Sequence, residues 1–290
     1  MSALLPQLLV GIATGGIYAS LALALVVIYQ ATNHVNFAQG EMAMFSTFLA
    51  WAMIQSGMPY WAAFFVTVLL SFAIAAAIEI VIVRPMHKAP LLSIVVVFVG
   101  LLVVFHSMAG LLFGYTIKEF PSPFPSDAWY GSPLMSAHNV GAIAVTLAMV
   151  ALLFCFFRFT PLGLVMRAAA QNATSSRLVG INVSRMLALG WGLAGVIGAV
   201  AGMMVAPIVF LDPDMMTGVL IYAFAGALLG GIDNPFGAVV GGFLVGILEN
   251  LVGTYLVAPE LKLTVALAVI VCVLIVRPSG LMGNKIVTRV

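Results

Sequence analysis

The residues able to do chemistry in this chain are few, and most stand in apolar surroundings. Asn33-His-Val-Asn36-Phe-Ala-Gln39-Gly-Glu41 is a polar turn between two apolar runs. Its amides can satisfy broken backbone or touch a passing polar solute, and a plain loop cap uses the same residue types. Gly230-Gly-Ile-Asp233-Asn234-Pro-Phe-Gly237 breaks two further runs with a tight turn. Asp233 is expected to N-cap the helix that follows, with Pro235 at its first position. Glu249-Asn250 falls inside a run, where no cap is needed, so it must face a partner helix or a water-filled path. Glu79 precedes Arg84 by five residues and is expected to pair with it. His106, alone in its run, reads as an interhelical hydrogen bonder. No His, Cys, Asp and Glu cluster has metal-ligand spacing, and there is no Ser-centred nucleophile elbow. The expectation is therefore no catalytic residue, no metal and no cofactor. Gly190-Trp-Gly-Leu-Ala-Gly195 matches G-x-G-x-x-G, but it lies in an apolar run with no preceding strand and is not a dinucleotide fingerprint.

The elements that must position these residues follow from composition. Of 290 residues, 63% are hydrophobic and 7% charged, against about 45–50% and 25% in ordinary soluble domains. A water-soluble globule of this size could not hide so much apolar surface. Soluble enzyme, nucleic-acid binder and secreted scaffold are excluded, and a net charge of +2 is too small to call for a polyanionic partner. Cys155 and Cys272 sit in apolar runs, so no disulfide framework is expected. The N-terminus lacks the positive region of a cleaved signal, and the first run is expected to remain as a span.

A bilayer core needs about 20 apolar residues in a helix. Leu4–Tyr29, Tyr60–Val83, Leu91–Phe113, Val140–Phe157, Met186–Phe210, Met215–Ile232 and Phe236–Val257 meet that need. Ala258–Val276 also qualifies if Glu260 and Lys262 snorkel to the interface. Met42–Ile54 is short and reads as a re-entrant or half helix, or as a further crossing. Runs of this length exclude barrel strands. The fold class is an all-α integral membrane protein: a polytopic bundle of about eight transmembrane helices plus the short one, forming a single domain over 1–290.

Charge then sets orientation. Arg84, Lys88, Arg158, Arg167, Arg177, Arg185, Arg277, Lys285 and Arg289, nine of the eleven Lys and Arg, fall on one side of one alternating topology. Lys118 and Lys262 fall on the other, with Glu119, Asp127, Asp212, Asp214 and Glu260. The loop at about 158–185 and the C-terminus are thus placed in the cytoplasm. The N-terminus is inside if Met42–Ile54 is re-entrant and outside if it crosses. Only Glu79 and Glu249 are left within spans, a pattern that suits an externally powered conduit better than a proton-coupled pump. Glycines at i,i+4 spacing (Gly11/Gly15, Gly198/Gly202, Gly226/Gly230, Gly237/Gly241, Gly242/Gly246) predict close helix packing, with sliding faces as the alternative.

The central loop holds helix formers over Leu164–Gln171, then a second short helix over Thr174–Val179 that Gly180 stops. Its arginines can bind lipid headgroups, or the small-residue helix can dock a soluble partner. Here the chain resembles a known family. Arg167, Ala168, Ala169, Gln171, Gly180, Ile181 and Asn182 look like the coupling segment of ABC-importer permeases. Asn36-Phe-Ala-Gln-Gly-Glu41 resembles the Asn-Phe-Ala-His-Gly-Glu turn of the branched-chain amino acid importers. Arg84-Pro-Met-His-Lys-Ala-Pro90, Gly230–Ala238 and Arg277-Pro-Ser-Gly-Leu281 are similar to that family's linker, turn and C-terminal motif.

The resemblance implies an inner-membrane permease that hydrolyses no ATP itself. Its partners would be a second permease subunit, in a heterodimer, two cytoplasmic ATP-binding subunits and an extracytoplasmic substrate-binding protein. Membrane lipid would surround it and no nucleic acid would bind. Asn33, Asn36, Gln39, Glu41, Asp233, Asn234, Glu249 and Asn250 would be the candidate translocation path. Three departures stand out: Gln39 replaces the usual His, Asn172-Ala-Thr-Ser-Ser176 stands where acidic residues are common, and Asp233 stands where Gly is common.

Overall fold

The computed structural model describes residues 4–32, 34–86, 89–124, 136–256, 258 and 261–283. Among these, helices account for nearly all ordered backbone: α1 (Leu4–Thr32), α2 (Gln39–Gln55), α3 (Tyr60–Ile78), α4 (Leu91–Phe113), α5 (Ala137–Phe159), α6 (Pro161–Gln171), α7 (Ala173–Leu178), α8 (Val183–Val209), α9 (Met215–Gly230), α10 (Pro235–Tyr255) and α11 (Lys262–Val276). Lys118 and Leu211 form an isolated extended bridge. Every apolar run read from the sequence is a helix. Among the described residues six helices are long and apolar enough to span, and α9 and α11 are shorter apolar helices, in keeping with a bundle of about eight. The 16 residues of α9 and 15 of α11 rise only about 22–24 Å at 1.5 Å each, against a core of about 30 Å.

Local chemistry explains the ends. Thr160, Asn172, Asn182 and Asn234 N-cap α6, α7, α8 and α10, each side-chain oxygen accepting from a backbone N–H one turn on. Pro161 and Pro235 occupy first-turn positions, where a missing N–H is harmless. The cap on α10 is Asn234 rather than the expected Asp233, because the helix begins one residue later than a cap at Asp233 would require. Beyond α3 the chain widens into a π-turn over Glu79–Val83. On an α-helix, residues five apart point about 140° away from each other; the wider turn brings Glu79 and Arg84 together.

The chain forms two compact units, residues 1–26, 121–147 and 217–290 in one, 27–120 and 148–216 in the other. In the first, α1, α9 and α10 meet through glycine. A side chain at Gly15 would strike the backbone of Phe243, and one at Gly226 would strike that of Gly242. In the second, α8 presents Gly195 to Ser71 of α3 and Gly202 to Thr47 of α2. Trp191 of α8 is wholly buried, its ring 5.8 Å from that of Phe98 in α4. The packing reading of the glycine pairs is what the structure shows. Leu69, Leu92, Leu111 and Leu152 are exposed, as expected where the surrounding solvent is hydrocarbon.

Candidate functional site

The polar turn before α2 is buried. Asn36 and Gln39 are fully enclosed and Glu41 is 5% exposed. Asn36 accepts from the Ala38 N–H at 3.0 Å and donates to Gln39 Oε1 at 3.4 Å. Gln39 Nε2 donates to the Ala194 carbonyl of α8 at 2.9 Å. Gly198, one turn beyond Ala194, leaves the room Gln39 occupies, since a Cβ there would collide with Nε2. Glu41 Oε2 lies 3.5 Å from His106 Nδ1 on α4. Farther along α2, Ser46 receives a 2.8 Å hydrogen bond from Ser71 of α3. This turn therefore ties α2 to α8, and its helix to α3 and α4, through groups that would each be costly to bury alone. Asn33 lies outside the described residues.

A second polar region begins where α5 ends. Thr160 caps α6, and Asn172 ends α6 and caps α7 in one residue. Gly180, at φ +86°, closes α7 with two bonds: its N–H donates to the Arg177 carbonyl, and the Ile181 N–H to that of Ser176. This is a Schellman end, and the left-handed φ explains why glycine stands there. Asn182 then caps α8. The second short helix spans Ala173–Leu178, one residue earlier at each end than its spacing suggested. Met166 and Ala169 face inward, while Arg167, Gln171, Asn182 and most of α7 are exposed. Leu178 and Val179 are 85% and 76% exposed, outside any span.

The sequence-marked residues of the first unit are engaged differently. Asn234 Oδ1 caps α10 while its Nδ2 donates to the Met282 carbonyl at 2.9 Å. Asp233 sits beside Gly283. Asn250 donates to Gln7 Oε1 at 2.9 Å, joining α10 to α1. Glu249 faces protein: Oε1 lies 3.3 Å from Lys262 Nζ, and Oε2 accepts from the Tyr18 hydroxyl at 3.4 Å, with Tyr18 stacked on Tyr222. Lys262 is thus held by a carboxylate instead of simply snorkelling; Glu260 lies outside the described residues.

In the second unit, Arg84 pairs with the buried Glu79 at 2.7 Å, as its spacing suggested, and also donates to the Ser184 carbonyl at 3.1 Å. Sequence reasoning missed that Glu41 is a further carboxylate enclosed within a helix, because it was read as part of a loop. The His106 partner and the Ser46–Ser71 bond carry no local signal at all. The caps at Thr160, Asn172 and Asn182 were findable, since each precedes a helical stretch. Among the described residues no His, Cys, Asp and Glu group could hold a metal.

Long apolar helices and buried polar ties between them define a multi-pass helical membrane protein. Residues 7–274 match the family described as "Branched-chain amino acid transport system / permease component", and the chain belongs to that family. It is 29% identical to the high-affinity branched-chain amino acid transport system permease LivH of Escherichia coli K12, over 99% of this chain and 97% of that one. It is 27% identical to BraD of Pseudomonas aeruginosa, a permease of the same description, over 99% and 98%. The galactofuranose transporter permease YtfT of E. coli K12 matches 61% of this chain and 53% of its own length at 28% identity. Among solved structures, PsaBC from Streptococcus pneumoniae in complex with Fab aligns with TM-score 0.47 and 13% identity, over 96% and 91% of the two chains.

Proposed function

We propose that this chain, acting as one permease domain over 1–290, is the membrane subunit of an ATP-driven importer that carries branched-chain aliphatic amino acids across the bacterial inner membrane. The observation that carries the reading is the pair α6–α7. It is capped at both ends, exposes Leu178 and Val179 outside the spans, and lies in the loop with the greatest concentration of arginine. Apolar side chains held on a rigid, water-facing turn ask for a partner. That partner is a separate ATP-binding subunit, whose closure would push on Arg167–Asn182. The arginine-rich side, with the C-terminus, is then cytoplasmic. A second permease subunit, two ATP-binding subunits and an extracytoplasmic binding protein complete the assembly. Cargo choice rests with the binding protein, because the conduit needs only apolar walls and few charges.

Of the path candidates, Asn36, Gln39 and Glu41 are proposed to hold α2 in place, and not to ligate the cargo. A second reading keeps the fold and changes the cargo to urea, a short amide or another amino acid. The complex reconstituted with its cognate binding protein separates them. Leucine is expected to stimulate ATP hydrolysis and urea is not; the reverse pattern overturns the cargo. Uptake by this chain alone in liposomes, without nucleotide, would overturn the importer.

A further inference from the structure

In the first unit a largely buried carboxylate is set against a primary ammonium. Glu249 lies six residues before the end of α10, and its side chain is 11% exposed. Its Oε1 is 3.3 Å from Nζ of Lys262, the first residue of α11, and its Oε2 accepts from the Tyr18 hydroxyl of α1 at 3.4 Å. Tyr18 stacks on Tyr222 of α9 with ring centroids 4.9 Å apart, so four helices converge on one carboxylate. The stem of Lys262 runs over Gly253, where a side chain would collide with its carbons. Lys262 itself is 29% exposed, so the pair opens to one side. Two features set it apart from a packing tie. Both contacts are longer than a tight charge-assisted hydrogen bond, about 2.7–2.9 Å, so the ions face each other without being clasped. And α10 is already fixed to α1 by Asn250 on Gln7 and by the glycine contacts. An ion pair out of water adds little stability over apolar side chains of the same size, and ionisable groups inside a membrane ordinarily serve function.

We infer that the Glu249–Lys262 pair opens to take the zwitterionic head of an α-amino acid, the ammonium on Glu249 and the carboxylate on Lys262. The Lys262 side chain already seats a primary ammonium on this carboxylate, which Tyr18 holds in orientation. The absence of a side chain at Gly253 leaves the lysine stem room to swing. The exchange keeps charge balanced at every stage. Each ion trades one partner for another of the same sign, and none is left alone in apolar surroundings. A simple amine would strand Lys262, a simple acid would strand Glu249, and urea would part the two ions and pair with neither. The site reads the charged head that all amino acids share and not the side chain, so cargo choice stays with the binding protein. A loose hold suits a conduit, where a solute must leave as readily as it enters. The start of α10 is joined to the Met282 carbonyl, on the side proposed to be cytoplasmic. The pair therefore sits toward the opposite end of the helix, where a delivered amino acid arrives. This inference rests on the importer reading.

The test is uptake of radiolabelled leucine by the assembled complex in proteoliposomes, with ATP enclosed and leucine-loaded binding protein outside. Glu249→Gln combined with Lys262→Met keeps both side chains close to their size and removes both charges. This double variant should assemble as the parent does on size-exclusion chromatography. Its uptake should fall about tenfold or more, the effect of losing a charged hydrogen-bonding partner. Lys262→Arg, which keeps the charge, should retain uptake. A pair that only holds helices together predicts the opposite for the double variant, because neutral side chains of the same size restore the packing and leave uptake intact. Unchanged uptake in the double variant, or its failure to assemble, overturns the proposal. Failure of the parent to take up leucine would remove the importer reading and this inference with it. Uptake by the parent with an unaffected double variant removes this inference alone.

Discussion

The turn before α2 and the α6–α7 pair are both built on asparagine, yet they resolve opposite problems. At Asn36–Glu41 polar groups lie inside and face other helices: Gln39 donates to the Ala194 carbonyl, and Glu41 lies 3.5 Å from His106. At Asn172–Asn182 the polar groups are answered locally by caps, and the apolar ones, Leu178 and Val179, face out. Buried polarity locks helices to one another, because an unanswered group costs far more than an answered one returns. Exposed apolarity on a capped turn does the reverse and leaves free energy to be gained by docking. The first region is part of the protein's internal frame, and the second is the element proposed above to dock an ATP-binding subunit.

The largest effect expected from breaking this contrast is at the buried pair. His106→Leu leaves the Glu41 carboxyl group enclosed without its polar neighbour, and should cost about 1–3 kcal/mol. Thermal unfolding in detergent, followed by tryptophan fluorescence, measures it. The double change Glu41→Leu with His106→Leu should recover much of that loss; a double variant no better than the single would show that the pair is not the coupled unit described here.

At the other region the expected effects on stability shrink while those on coupling remain. Gly180 has no neighbouring atom within 4 Å of where a side chain would start, so only its φ of +86° opposes substitution. Gly180→Val should cost at least about 1–2 kcal/mol, locally in α7, and abolish stimulation of ATP hydrolysis by loaded binding protein. Gly180→Asn, which tolerates the left-handed region, should keep it. Equal behaviour of the two variants would mean that the helix stop has no part in coupling.

The smallest change in the fold is expected from Leu178→Ser combined with Val179→Ser, within about 0.5 kcal/mol of the parent for each exposed site. The same variant should lose the ATP-binding subunit on co-purification. Retention of that subunit would place docking elsewhere and dissolve the contrast.

Much of this was legible in residue order. Helix existence followed from run length, membrane residence from the scarcity of charge, and the Gly180 stop from a glycine placed after a short helical stretch. Glu79 and Arg84 were paired correctly from spacing, though the π-turn that brings them together left no mark. The N-cap at Asn234 was assigned one residue early, because Asp and Asn cap equally well and only backbone geometry chooses between them. Glu41 was overlooked as an intrahelical carboxylate because its helix starts before its apolar run does.

By itself, the sequence determined that the chain is a bundle of apolar helices and where those helices break, since both depend on local periodicity and solvent preference. The tertiary structure alone decided which buried polar groups are answered and by whom. Glu41 meets His106, Glu249 meets Lys262, Asn250 meets Gln7 and Gln39 reaches the backbone beside Gly198. These partners are remote in the chain. Their meeting depends on how each helix is rotated against its neighbours, which small residues set by how closely two backbones can approach.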